Sequence, residues 1–135
     1  MKRIFADTFY WTALLNPKDQ WHSSVNEIQP KIADVRLVTT ETVLIGLLNF
    51  YSEYGAEMRQ TVIDTVRDIL VDLDIEYISH SSDIFLEALD FYEERLDKGY
   101  SLTDCVSMLT MKTLNIHKIL THDNHFEQES LTILL

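Results

Sequence analysis

Asp7, Asp104 and Asp123 are the residues of this 135-residue chain whose types and places could do chemistry. Asp7-Thr8 follows the short apolar run Ile4-Phe5-Ala6, Asp104 lies in the first turn of an apolar stretch from Leu102 to Leu114, and Asp123 follows Lys118 to Thr121. A carboxylate just past the carboxyl end of a strand stands where open α/β sheets bind ligands. Three carboxylates held close without a cation repel and raise one another's pKa, whereas Mg2+ or Mn2+ accepts hard oxygen donors and keeps all of them ionised. A divalent metal site is the economical reading, and two such ions about 4 Å apart position water against a phosphodiester and stabilise the leaving oxygen. Asp104 also has a plain structural role: Ser101-x-x-Asp104 is a capping box, which accounts for that acid without chemistry.

The surrounding residues narrow the alternatives. No nucleophilic triad and no Gly-rich phosphate loop competes in the sequence. His122 and His125 suggest a zinc or HD-type phosphohydrolase site, but two histidines in one loop lack the separate His and Asp ligands that such sites need. A receiver-type signalling domain also carries an acidic pocket on a sheet of this kind. Its acceptor Asp belongs where Ile78-Ser79-His80 stands, and no Lys ends the last strand.

The elements that must position the acids alternate strand and helix. Ile4–Ala6, Leu37–Thr39, Ile75–Ile78, Lys118–Thr121 and a closing segment in Leu131–Leu135 read as short strands. Between them, helical spacing predicts a turn or two from Phe9 to Leu15, a helix over His22–Val35 with a kink or break at Pro30, and a helix capped by Thr39 or Thr40. The last of these buries Val43, Leu44, Leu47, Leu48 and Tyr51 and stops at Tyr54-Gly55. Further helices are predicted from about Glu57 to Leu73, from Asp83 to Leu96 through Phe85, Ala88, Leu89, Tyr92 and Leu96, and from Leu102 to Leu114. Right-handed crossovers between such strands give a central parallel sheet of about five strands covered on both faces, a three-layer α/β/α sandwich.

Composition fits one domain over residues 1–135, with 46% hydrophobic residues and too few Gly and Pro for a linker. The single Cys105 has no partner and falls in an apolar pattern, so a buried thiol in a reducing, cytoplasmic compartment is expected. Asp7 interrupts the apolar run after Met1-Lys2-Arg3, and no later run approaches membrane length. The net charge of -11 is uneven: Glu53 to Asp97 holds thirteen acids against three arginines, while the rest carries nine acids and eight bases. The pI of 4.7 argues against nonspecific phosphate binding over the whole surface, but not against a nucleic acid at the carboxylates.

Four motifs taken in order resemble the PIN-domain nucleases. They are Asp7-Thr8 after the first strand, Leu37-Val38-Thr39-Thr40 before Val43-Leu44, Ser101-Leu102-Thr103-Asp104-Cys105, and Leu120-Thr121-x-Asp123-x-His125-Phe126-x-Gln128. The resemblance covers essentially the whole chain. It implies a Rossmann-like sandwich, metal-dependent cleavage of single-stranded RNA, and often a toxin role with an antitoxin partner, with a homodimer as a further assembly and no membrane. It also implies that Asp7, Asp104 and Asp123 bind Mg2+ or Mn2+ and that Thr8, Ser107 and Thr121 stand behind them.

One position departs from that pattern. The register that places a Glu after Val43-Leu44 in the family lands here on Gly46, in mid-helix, where Gly costs roughly 0.5 to 1 kcal/mol relative to Ala. Its Cα is expected to face the acids across a water-filled gap of side-chain length. Glu41 is the only nearby acid, five residues earlier and turned away, with favourable first-turn charge as its plain role. It borders the expected site and is the fourth ligand only if position 46 lies outside it. Two function classes follow: a metal-dependent ribonuclease, and a catalytically weakened PIN domain that binds RNA or protein.

Overall fold

The computed structural model describes residues 2–135. Five strands, β1 (Arg3–Ala6), β2 (Arg36–Thr40), β3 (Ile75–Ile78), β4 (Lys118–Leu120) and β5 (Thr132–Ile133), form one sheet in the order β3-β2-β1-β4-β5, with every pairing parallel. Ile4, Phe5 and Ala6 are all buried, which suits β1 to the centre of a parallel sheet covered on both faces. At the β3 edge, Glu76 accepts from Arg3 at 3.3 Å and lies 3.9 Å from Arg36, charges that discourage a further strand from adding there.

The crossovers are α1 (Thr8–Leu15), α2 (His22–Ile28), α3 (Glu41–Phe50), α4 (Ala56–Val71), α5 (Ser82–Glu93) and α6 (Leu102–Leu114), with short 3₁₀ segments at Gln29–Ile32 and Asn124–Glu129. This is the expected three-layer α/β/α sandwich of PIN type. Pro30 breaks the long second helix at Ile28, as its missing amide dictates. Of the two threonines able to cap α3, Thr40 does so, accepting from the Val43 amide at 3.1 Å. Thr39 instead donates to the Ala6 carbonyl at 3.0 Å and closes the end of β1.

Helix ends and one helix face differ from expectation. α4 stops at Val71 because the Asp72 carboxylate accepts the Asp74 amide at 2.8 Å, a local turn that competes with the helix, and Leu73 is 88% exposed. α5 stops at Glu93, leaving Leu96 in the following turn and exposed. It turns Ala88, Ile84 and Phe91 to the core, whereas Phe85, Leu89 and Tyr92 point outward. On α3, Leu48 is likewise more than a third exposed. No helix among the described residues is long and apolar enough to cross a membrane.

The strand order decides against the receiver reading. Receiver-type sheets run 2-1-3-4-5, whereas here the chain walks from β1 outward to β3 and then returns to the other side of β1. The order therefore reverses between β1 and β4, and the crevice at their carboxyl ends is the topological switch point.

Candidate metal centre

Asp7 ends β1 and Thr121 ends β4, so the switch point brings residues 114 positions apart into contact: Thr121 Oγ1 donates to Asp7 Oδ2 at 3.0 Å. The same hydroxyl oxygen accepts the Asp123 amide at 3.1 Å, and Asp123 Oδ1 accepts the His125 amide at 2.9 Å. One threonine thus fixes one carboxylate and orients the loop that carries another. Asp104 arrives from the start of α6, where the capping box is complete: its amide donates to Ser101 Oγ, and its Oδ2 accepts the Ser101 amide, both at 3.0 Å. The cap and the site are compatible roles, since a carboxylate has more lone pairs than the cap uses.

Burial sets the electrostatics. Asp7 is only 3% exposed. Burial pushes its carboxyl up to about 7, and the charges of Asp104 and Asp123 act the same way against the Thr8 amide and the Thr121 hydroxyl. Burial also raises Asp104, helped by the Asp123 charge, while its hydrogen bonds at Ser101 and the His125 ring oppose the rise. Three acids are thus held where two of them resist ionisation, the arrangement that a hard cation relieves.

Asp104, Asp123 and His125 each present a ligand atom within 4.8 Å of the others. His125 Nδ1 lies 3.3 Å from Asp123 Oδ1 and 3.6 Å from Asp104 Oδ2, is buried, and makes no hydrogen bond among the described residues. Ser107, one turn beyond Asp104 on α6, is fully buried, and its hydroxyl likewise has no partner among the described residues. The donor chemistry and these orphaned polar atoms fit a divalent ion at this place.

Two other expected residues stand elsewhere. Glu41 turns to the β3 side of the sheet, where its Oε1 accepts the His80 amide at 2.8 Å. His122 does not join the carboxylates: its ring lies 4.4 Å from Trp21, stacked, and 4.3 Å from Phe9. Gly46 lies against Thr8, the residue after Asp7: a Cβ at position 46 would stand 3.3 Å from Thr8 Oγ1 and 3.8 Å from its methyl. The expected water-filled gap is therefore replaced by the Thr8 side chain, because α3 packs closely over the start of α1. His125 is the residue that sequence reasoning underrated. Its signal was the spacing Asp123-x-His125, with the Asp123 carboxylate folding the intervening backbone into a turn. A cavity of about 590 Å3 between Lys2, Ile32, Asn115 and Lys118 opens at the amino ends of β1 and β4, away from the acids, so size alone misplaces the site.

No protein-family model matches the sequence, and no curated protein matches it. Solved structures do resemble it. VapC20 of Mycobacterium tuberculosis, a Sarcin-Ricin loop cleaving toxin, matches with a TM-score of 0.85 and 19% identity over 96% of either chain. VapBC2 of Rickettsia felis, solved on a DNA fragment from its promoter, gives 0.67 and 16% over 97% of this chain and 96% of its own. FitAcB of Neisseria gonorrhoeae gives 0.63 and 13% over 98% and 96%.

Proposed function

We propose, from the PIN-type fold that the chain has, that it is a metal-dependent endoribonuclease cleaving single-stranded RNA and the toxin of a toxin–antitoxin pair. The observation that supports this reading is the acidic cluster beside the β1/β4 switch point, where Asp104 and Asp123 present ligand atoms within 4.8 Å of each other and Thr121 ties Asp7 to the Asp123 loop, in a fold shared with a Sarcin-Ricin loop cleaving toxin. Asp7, Asp104 and Asp123 would hold Mg2+ or Mn2+, which when bound supplies an activated water and neutralises charge on the phosphate. The protein's own work is positional. Thr121 aims Asp7 and favours its ionised form against burial, the Ser101 cap holds Asp104, and the turn at His125 holds Asp123. The half-buried Phe9, His122 and Trp21 rings flank the loop of Asp123 and offer apolar faces on which unstacked bases can lie. Exposed Phe85, Leu86, Leu89 and Tyr92 on α5, beside acidic residues, supply a separate face for an antitoxin or a second copy of the chain.

Gly46 favours a second reading, a weakened PIN domain that binds without cutting, because the helix contributes no acid there. Cleavage of single-stranded RNA with Mg2+, with Mn2+ and with chelator separates the two. Metal-dependent products from the wild type and none from Asp104→Asn are expected, since Asn keeps the volume and most of the cap but loses the charge. RNA retention without products in either metal favours the second reading, and equal cleavage by Asp104→Asn removes the metal site.

A further inference from the structure

We propose that His125 is itself a ligand of the divalent ion, through Nδ1, and that this nitrogen makes the site prefer Mn2+ over Mg2+. The inference rests on the metal-dependent reading above and adds a donor to it. Octahedral ligands at about 2.0 to 2.2 Å from an ion stand roughly 3 Å from their nearest neighbours, and His125 Nδ1 already lies 3.3 Å and 3.6 Å from an oxygen of each of two acids. Those separations are too long or too bent for hydrogen bonds, so a buried nitrogen is left facing two carboxylates with no hydrogen-bond partner among the described residues.

The ring is held in that orientation. Its own amide is tied to Asp123 Oδ1, its ring meets that of Tyr100 at a tilt of 60° with centroids 5.4 Å apart, and Nε2 comes against the chain at Gly99, 3.7 Å from where a Cβ would be. Gly99 has φ +73, a conformation that glycine adopts without strain, so the space beside the ring is kept open by the backbone itself. A neutral imidazole carrying its proton on Nε2 leaves the Nδ1 lone pair aimed between Asp104 and Asp123. The donors that already lie within 4.8 Å of one another are then two carboxylates and one imidazole, with Asp7 tied to the Asp123 loop through Thr121 as a third acid, and nitrogen stands in for the acid that position 46 lacks. Mg2+ favours oxygen and binds imidazole poorly, whereas Mn2+ and the later divalent metals accept it.

The competing explanation is an imidazolium that simply neutralises the two acids and must be displaced by any ion. Calorimetric titration of the full chain with MnCl2 and with MgCl2, for wild type, His125→Gln and His125→Ala, distinguishes the two. The wild type should bind Mn2+ at least about ten-fold more tightly than Mg2+, and either variant should lose most of that margin through Mn2+ while Mg2+ binding changes less than about three-fold. Pulsed electron paramagnetic resonance of the Mn2+-loaded wild type should show coupling to a directly bound imidazole nitrogen, and that coupling should vanish in His125→Ala. Mn2+ bound without nitrogen coupling, or Mn2+ affinity equal or greater in the variants, overturns the His125 assignment and leaves the carboxylate site standing. Failure of the wild type to bind either ion overturns both.

Discussion

Thr121 and Asp7 meet across the switch point through a single hydrogen bond, Oγ1 to Oδ2 at 3.0 Å, in a place where both residues are buried. A donor aimed at a buried carboxylate favours its ionised form. Thr121→Val keeps the shape but removes both that donor and the acceptor for the Asp123 amide. A hydrogen bond to a charged group contributes about 1.5 to 3 kcal/mol, so the variant should lose that much at pH 8, where Asp7 is ionised, and less at pH 5, where it is protonated. Urea unfolding at the two pH values checks this, with Thr121→Ser expected to restore the wild-type behaviour. An equal loss at both would mean that Thr121 acts on the fold and not on the Asp7 charge.

Burial of Asp7 has its own pH signature. Its folded value of about 7 lies above the ordinary 3.8, so the folded state holds a proton that the unfolded chain gives up. The corresponding stability is fully present below about pH 4 and is lost as pH rises toward 7, by at most roughly 4 kcal/mol. Asp7→Asn should therefore be more stable than metal-free wild type at pH 8, with the difference shrinking toward pH 4. Saturating Mn2+ should reverse the order at pH 8, since only the wild type retains the ionised Asp7 ligand. Parallel stability curves for the two proteins across this range would contradict the buried charge.

What the sequence made legible follows from how locally each feature is encoded. The strand at Ile4–Ala6, the break at Pro30 and the Ser101 capping box each depend on a few adjacent residues, and all appear as expected. The face of α5 does not, because apolar side chains nearly encircle it from Ile84 to Tyr92 and periodicity cannot choose among them; only packing against α6 selects Ala88. The three acids were legible as strand-end and helix-start residues. The contact of His125 with Asp104 was not, since it depends on how a two-residue turn meets a helix start some twenty positions away.

Glu129 braces that meeting. Its Oε2 accepts from Arg95 Nε at 2.9 Å and from the Tyr100 hydroxyl at 2.8 Å, tying the end of the Asp123 loop to the residue before the α6 cap. Burial pulls its carboxyl up, but Arg95 and Tyr100 outweigh this and hold it below the ordinary value of 4.5. The group therefore stabilises the fold above about pH 4.5, and the contribution is lost as pH falls through its lower folded value. Glu129→Gln should lower stability by about 1 to 3 kcal/mol at pH 7 and by less at pH 3. Thermal unfolding at the two pH values measures it. A loss that does not shrink in acid would assign the effect to packing.

Gly46 joins the packing of α3 to the chemistry of the site, because the atom nearest a new Cβ there is Thr8 Oγ1, one residue from Asp7. At 3.3 Å the contact is tight but falls on a side-chain hydroxyl that can rotate, so Gly46→Ala should set a small strain against the gain in helix propensity of about 0.5 to 1 kcal/mol. A net change within about 1 kcal/mol is expected, and it should become more favourable in a Thr8→Ala background, where the hydroxyl is gone. Gly46→Glu carries the argument to function. Its side chain would leave the helix past Thr8, the neighbour of Asp7, and its carboxylate is expected to add an anionic donor to the set. Mn2+ and Mg2+ should both bind more tightly, cleavage should rise, and the Thr8→Ala background should enlarge both effects by relieving the crowding. With a fourth carboxylate in place, removal of the His125 ring should also cost less Mn2+ affinity than it does in the wild type. Calorimetry on the single and double variants, run beside the RNA assay, measures each of these couplings. Unchanged affinity and cleavage in Gly46→Glu would place position 46 outside the site and return Glu41 to consideration despite its bond to His80.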